Sequence, residues 1–101
     1  MTDKPLFIPL KTEFYELFER GEKTEEYRLY GSRWNENTCT VGRAVTLSKG
    51  YGKQNRLTGV VKGFQRVKLE HLKPKVQESL RNIYPNKNDF AAIQIRISDN
   101  D

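Results

Sequence analysis

The sequence has few of the residues that build covalent or metal-dependent sites. Cys39 is the only cysteine and His71 the only histidine among 101 residues. One cysteine excludes a disulfide within the chain, and the pair falls short of the cysteine–histidine sets that hold zinc. A G-x-S-x-G nucleophile motif and a P-loop are both absent. We therefore expect neither a metal nor a cofactor.

Long apolar runs are absent too. The start, Met1 to Leu10, lacks the apolar stretch of a signal peptide, and no segment is long enough to span a bilayer. We therefore expect a cytoplasmic protein without a membrane partner. The length matches one ordinary domain, residues 1–101, which we expect to be a monomer.

Acidic residues are scarce in the middle of the chain. Between Arg43 and Lys75 the only carboxylate is Glu70, whereas nine lysines and arginines fall in this stretch. A basic section of this kind indicates a polyanionic partner, although a solvated lysine-rich surface explains it equally well. The chain also has five tyrosines and five phenylalanines, which fill small cores and also stack on nucleobases.

Hydrophobic spacing predicts a mixed order of strands and helices. Strands are predicted at 6–10, 23–30, 43–48, 56–67 and 90–97, and helices at 13–20 and 74–83. This order favours an α+β fold, a small mixed β-barrel of about five or six strands with two main helices at the barrel ends.

Individual residues in two of these elements carry more specific predictions. In the first helix Phe14, Leu17 and Phe18 share one face and are predicted to be core. Thr12 is predicted to cap this helix, and Gly21 to take the left-handed position after its last turn. The last strand is predicted to have a single buried face, formed by Ala91, Ile93, Ile95 and Ile97.

The most informative segment follows the first predicted helix. It has the pattern G-x-K-x-x-E-x-R, formed by Gly21, Lys23, Glu26 and Arg28. Strand alternation points Thr24, Glu26 and Arg28 to one face, where Glu26 and Arg28 can pair. Lys23 can lean over the mouth of a barrel from the start of the strand. Two cations around a carboxylate can hold a phosphate or a nucleobase edge, although charged strand residues are often merely solvated.

This pattern resembles the signature of the ASCH family, which places it between its first helix and the next strand. The segment 83–97 is also similar to the ending of short bacterial ASCH proteins. The resemblance implies a PUA-like β-barrel with a cleft lined by Lys23, Glu26 and Arg28. PUA domains bind RNA, and ASCH domains have been proposed to act in RNA metabolism, so the implied partner is single-stranded RNA or a ribonucleoside.

The same resemblance leaves two enzymatic alternatives. Some short bacterial ASCH proteins are metal-independent amidohydrolases that remove the acetyl group from N4-acetylcytidine, using a lysine of the motif, a threonine three residues later and a distant glutamate. Lys23 matches the lysine and Glu70 falls roughly where the distant glutamate belongs, but Glu26 replaces the threonine. The candidate catalytic residues are therefore Lys23, Glu26 and Glu70. Cleavage of single-stranded RNA is a further family activity, but the usual histidine pair is missing.

Two loops supply further candidates for contacts with RNA. Trp34 and Arg33 offer a stacking platform and a cation, although Trp34 is equally well explained as core. The glycine-bearing connection around Tyr51 can present backbone N–H groups and lysines to an anion, although a plain hairpin explains it too. The predicted RNA- or nucleoside-binding residues are Lys23, Thr24, Glu26, Arg28, Arg33, Trp34, Lys49, Tyr51, Lys53 and Arg56.

Overall fold

The computed structural model describes residues 4–98, which form one curled sheet and two helices. The strands are β1 (Leu6–Leu10), β2 (Glu25–Leu29), β3 (Ala44–Lys49), β4 (Arg56–Lys68) and β5 (Asp89–Ile97). The helices are α1 (Thr12–Glu19) and α2 (Pro74–Ile83), and a short 3-10 helix covers Leu69–His71. The predicted α+β fold with five strands and two main helices is confirmed. The sheet curls into a half-barrel of the PUA-like kind.

The strand order places the two earliest strands at opposite edges of the sheet. The order is β1-β3-β4-β5-β2, in which β1 pairs with β3 in parallel and every other pairing is antiparallel. Strand β4 contains a β-bulge, because Val61 lies opposite Ile95 and Gly63 opposite Gln94, which leaves Lys62 as an extra residue. Bulges of this type bend a strand and redirect a side chain.

One side chain connects the two edge strands. The guanidinium Nη2 of Arg28, in β2, donates to the carbonyl oxygen of Pro9, in β1, over 2.6 Å. Because β1 and β2 are the outermost strands of the sheet, this hydrogen bond draws the open side of the half-barrel together.

The main core fills the concave side of the sheet. Its buried residues include Ile8, Val45, Leu47, Val61, Ala91, Ile93 and Ile95 from the strands. Helix α1 covers this core with Tyr15 and Phe18, both buried. The prediction of core positions on α1 was correct for Phe18, but Leu17 is only half-buried and Phe14 packs at the margin of the core. Tyr15, which the sequence spacing had not assigned to the core, is buried instead.

A second, smaller core lies on the opposite face of the sheet. Leu80 of α2 and Leu69 of the 3-10 helix pack there on Phe90. Phe90 is therefore as buried as Ala91 and Ile93. Ala92, on the same face, is buried as well, so the prediction of a single buried face for β5 was wrong over its first half. The physical reason is that α2 shields the face that strand alternation had left to solvent.

The ends of α1 differ in how well the sequence predicts them. Lys11, with extended backbone, is the N-cap, and Thr12 is the first helical residue without a capping hydrogen bond, so the prediction for Thr12 was wrong. At the other end the prediction is confirmed, since Gly21 has a φ of +77°. The amide of Gly21 donates to Phe18 O at 3.1 Å and that of Glu22 to Leu17 O at 2.9 Å, the paired bonds of a Schellman motif.

Candidate functional site

Lys23 lies between the turn that ends α1 and the start of β2. The Lys23 amide donates to Leu17 O at 3.2 Å, so the backbone of this lysine is fixed to the last turn of the helix. Its Nζ lies 3.7 Å from Oε1 of Glu26, and Nε of Arg28 donates to Oε2 of Glu26 at 2.9 Å. The three residues therefore form the cluster that the motif predicts, with one carboxylate between two cations.

Glu26 is the buried centre of this cluster, with a relative exposure of 8%. It lies opposite Ile93 in the pairing of β2 with β5, which turns its side chain to the concave, core-lined side of the sheet. A buried carboxylate is costly unless its charge is compensated, and Lys23 and Arg28 supply that compensation. Glu26 thus holds both cations in place.

The two cations are engaged to different degrees. The Arg28 guanidinium binds Glu26 and Pro9 O, and its Cζ lies 5.3 Å from the ring centroid of Trp34. Lys23 has its Nζ 5.4 Å from the Phe14 ring centroid and 5.6 Å from that of Phe18, and its side chain keeps 21% of its exposure. The side-chain exposure of Arg28 is similar, at 18%, so Lys23 differs from Arg28 in its looser contact with Glu26 and in having no hydrogen bond to a backbone carbonyl within residues 4–98.

Three open grooves meet at Lys23. The sheet groove, about 740 Å³, runs between the convex face of the sheet and the start of α2. The helix-end groove, about 520 Å³, lies between the end of α1 and the far parts of β4 and β5. The interhelical groove, about 630 Å³, separates α1 from α2 and is lined by Phe14, Leu17, Val76, Leu80 and Ile83 among others. Lys23 lines all three, which makes it the junction of the concave regions on this side of the molecule.

The sheet groove is strongly basic. Its lining includes the cationic residues Lys23, Arg66, Lys68 and Lys73, with Glu25 as its one carboxylate. The Tyr27 hydroxyl donates to Glu25 at 2.6 Å, and burial together with this hydrogen bond raises the pKa of Tyr27 well above its ordinary value. Tyr27 therefore remains a neutral hydrogen-bonding ring in the groove at physiological pH.

Arg66 is partly neutralised at the edge of this groove. Its Nε and Nη2 donate to the two carboxylate oxygens of Asp89 at 3.0 and 2.6 Å. These bonds hold the pKa of Asp89 below its ordinary value. The guanidinium Cζ also lies 4.0 Å from the Tyr30 ring centroid. Lys68 and Lys73 are exposed, and neither forms an ion pair within residues 4–98. They are the charges that the groove leaves available.

Comparison with solved structures identifies the architecture. The hypothetical protein PH0355 matches with a TM-score of 0.72 at 20% identity, over 94% of this chain and 100% of its own. The ASCH protein from Zymomonas mobilis matches with a TM-score of 0.63 at 14% identity, over 89% of this chain and 65% of its own. This chain has the ASCH fold. The Pyrococcus furiosus protein PF0455 is similar as well, with a TM-score of 0.57 at 23% identity over 93% and 97% of the two chains.

Sequence comparison adds nothing to this structural likeness. No protein-family model matches the chain, and no curated protein matches it at a significant level. The assignment of the ASCH fold therefore rests on the structural similarity, together with the motif at Lys23, Glu26 and Arg28.

The hairpin between β3 and β4 stands apart from the Lys23 cluster. Lys49 pairs with Glu16 over 3.6 Å, and Arg56 lies over the Phe7 ring at 5.1 Å. Tyr51 is 82% exposed, with its ring centroid 6.5 Å from that of Phe7. Lys53 is exposed on the same hairpin. This set of candidates thus lies beside β1 and the first part of α1, and none of its members lines the three grooves.

Three further candidates also lie away from the grooves. Trp34 has a relative exposure of 8% and belongs to the main core. Of the two roles left open for Trp34, stacking platform or core residue, this burial supports the second. Arg33 is exposed and has its Cζ 5.1 Å from the Trp34 ring centroid. Glu70 is exposed on the 3-10 helix and does not line the grooves at Lys23. Among residues 4–98 no group of three His, Cys, Asp or Glu side chains is placed to hold a metal ion, and no helix there is long and apolar enough to cross a membrane.

The structure adds groove residues that the sequence interpretation missed. Gln65 and Ala92 face the sheet groove from neighbouring strands, and Lys68 and Lys73 flank the 3-10 helix beside it. Both lysines belong to the basic stretch between 43 and 75, so the charge signal included them. Only the position of α2 on the convex face distinguishes them from the hairpin lysines of the same stretch.

Proposed function

We propose that this chain is an ASCH-domain protein that binds single-stranded RNA or a ribonucleoside in the sheet groove, with Lys23 at its inner end. The observation that carries the proposal is the charge of that groove, whose lining contains four lysine or arginine residues, with Arg66 among them paired to Asp89, against Glu25 as its one carboxylate. A wall with this imbalance attracts a polyanion, and it does so from solution before any specific contact forms.

The groove also offers the two kinds of surface that a nucleotide needs. Lys68 and Lys73 lie at its rim and suit phosphate oxygens, since lysine binds phosphate as a flexible point charge. Tyr27, Leu72 and Val76 form an apolar part of the lining, on which the face of a base can rest. The Lys23 ammonium then meets the base edge or a ribose hydroxyl at the junction of the grooves.

Glu26 and Arg28 act indirectly in this proposal. Glu26 is buried and binds both cations, so it fixes the direction of the Lys23 side chain. Arg28 is occupied by Glu26, Pro9 and Trp34. We assign both residues to positioning, and Lys23 to contact with the ligand.

The charge of the sheet groove can be tested by two matched charge reversals. We expect Lys73→Glu to weaken the binding of a short single-stranded RNA about tenfold or more, and to reduce the slope of log affinity against log salt by about 0.7 per lost phosphate contact. Lys53→Glu, the same change on the hairpin, should leave affinity within about twofold, since a charge that touches no phosphate contributes only through screened attraction. Fluorescence anisotropy at several salt concentrations measures both. Equal losses for the two variants, or a salt-independent affinity, would refute the sheet groove as the site.

Amide hydrolysis of an acylated cytidine is the second candidate function. It is favoured by the contact of Lys23 Nζ with the Glu26 carboxylate at 3.7 Å inside a partly apolar site, a lysine–carboxylate pair of the kind that metal-free hydrolases use. The exposed Glu70 does not join this pair, so the distant glutamate of the resembling enzymes has no counterpart at the cluster.

Replacement of Lys23 by arginine distinguishes binding from hydrolysis. Arginine keeps the charge but does not act as a base near neutral pH. We expect Lys23→Arg to keep RNA affinity within about fivefold, because a guanidinium can still donate a charge-assisted hydrogen bond to the base edge or the ribose hydroxyl. Hydrolysis of N4-acetylcytidine, followed by the appearance of cytidine in chromatography, should be absent from the unmodified protein. Turnover that is present in the unmodified protein and lost in Lys23→Arg would overturn the assignment as a pure binding protein.

A further inference from the structure

The convex face of the sheet forms a continuous surface between two of the grooves. The sheet groove and the helix-end groove share Lys23 and Thr24 in their linings. Between them the pairing of the strands aligns Tyr27, Ala92 and Gln65 in one row across β2, β5 and β4. The next row consists of Glu25, Gln94 and Gly63. The two grooves therefore lie at the two ends of one continuous surface band, and the two rows of residues form the floor of this band.

The floor of this band includes small residues and side-chain amide groups. A shallow depression of about 250 Å³ is lined there by Gly63, Gln65, Ala92 and Gln94. A Cβ atom on Gly63 would lie only 2.6 Å from Oε1 of Gln94, so glycine keeps the floor open and the Gln94 amide close to β4. Small residues beside exposed amides suit a nucleobase, which needs room for its face and partners for its polar edge.

The β-bulge places a cation at the far end of the band. Lys62 is the extra residue of the bulge and lines the helix-end groove together with Arg96 and Arg20. Arg20 is paired with Glu22 over 3.0 Å, but Lys62 and Arg96 form no ion pair within residues 4–98. Both are exposed. The end of the band away from α2 thus has two available cations of its own, with Glu19 as the carboxylate in that groove.

We propose that the RNA strand bound at Lys23 continues across the convex face and reaches Lys62 and Arg96 with a second phosphate contact. This inference rests on the proposed function and extends it from a site for one nucleotide to a path for a strand. Lys62 and Lys68 are six residues apart on β4, which is about 20 Å at about 3.3 Å per residue. A single nucleotide fills only one groove, so the inference predicts that affinity increases with the length of the RNA until both ends are occupied.

The test compares a short and a long ligand on the same variants. Cytidine 5′-monophosphate serves as the short probe and an eight-nucleotide single-stranded RNA as the long one. We expect Lys62→Glu to weaken the octamer on the order of tenfold, because it removes one phosphate contact and adds a repulsive charge, and to leave the mononucleotide within about twofold. Lys53→Glu serves as the matched control and should change neither. Thermal melting checks that both variants, which alter exposed residues, are folded.

The outcomes separate the inference from the function on which it rests. Octamer affinity unchanged by Lys62→Glu, with mononucleotide binding still sensitive to Lys73→Glu, overturns the path and leaves the proposed function standing. Insensitivity of both ligands to Lys73→Glu overturns the proposed function itself. A polyglutamate peptide of similar charge that binds as tightly as the octamer, with the same loss in Lys62→Glu, shows attraction to any polyanion and also overturns the RNA path.

Discussion

Arg28 shows how a residue of the motif can serve the scaffold, which in our proposal leaves contact with the ligand to Lys23. Its guanidinium has two N–H directions in use, one to the Glu26 carboxylate and one to the Pro9 carbonyl, while its plane lies near Trp34. Arginine is suited to this because its donors are fixed in a planar fork, whereas lysine offers a single point of charge. The arginine of the motif therefore secures the half-barrel, and the lysine remains available.

Replacement of Arg28 by lysine should therefore reduce stability even though the charge is kept. We expect a loss of about 1–3 kcal/mol in the free energy of unfolding, since the partly buried Pro9 carbonyl or the buried Glu26 carboxylate loses its partner. Arg33→Lys is the matched control, because Arg33 is an exposed arginine over the same Trp34 ring. It should change stability by less than about 0.5 kcal/mol. Urea denaturation followed by tryptophan fluorescence measures both, and equal effects would contradict the role given to Arg28.

Among the elements, the short turn after α1 has the most direct link to the site. The Schellman motif ends the helix at Gly21. Two residues later, the amide of Lys23 also donates a hydrogen bond to Leu17 O. The space around Gly21 is open, with no atom within 4 Å of an added Cβ. The only demand on this residue is its backbone angle of +77°.

A side chain at Gly21 tests this demand separately from packing. We expect Gly21→Ala to lower the free energy of unfolding by about 1–2 kcal/mol, the usual cost of a left-handed angle for a residue with a Cβ. Gly52→Ala is the control, because its surroundings are equally open and its φ lies outside the left-handed range. Thermal and chemical denaturation should show a change of less than about 0.5 kcal/mol there. A similar loss in both variants would mean that flexibility, and not the backbone angle, sets the cost.

Element boundaries were predictable where a single residue dictates them. Pro74 fixes the start of α2 and Gly21 the end of α1, because proline suits the first helical turn and glycine the left-handed angle. Thr12 was misassigned as a cap because the extended Lys11 precedes the helix without any side-chain signal. The burial of Phe90 was missed because it depends on α2, which no local pattern in β5 reveals.

For the molecule as a whole, the sequence predicted the cluster but not its surroundings. The pairing of Glu26 with Lys23 and Arg28 follows from spacing along a strand, which is local information. The bond from Arg28 to Pro9 joins residues 19 positions apart, and the grooves join β4, α2 and the end of α1. The basic stretch looks uniform in sequence, yet folding sends Lys53 to the hairpin and Lys68 and Lys73 to the groove. Only tertiary structure makes that division.

The pairing of β2 with the last strand has a consequence for the order in which the chain folds. Glu25 and Glu26 lie opposite Gln94 and Ile93, which are close to the C-terminal end of the described residues. Contacts between residues so distant in sequence carry a large loop-closure cost and form slowly. On the ribosome, the motif segment emerges early but has no strand to join until β5 has been synthesised. The Lys23 cluster is consequently assembled late, and a chain that has not completed its sheet lacks it.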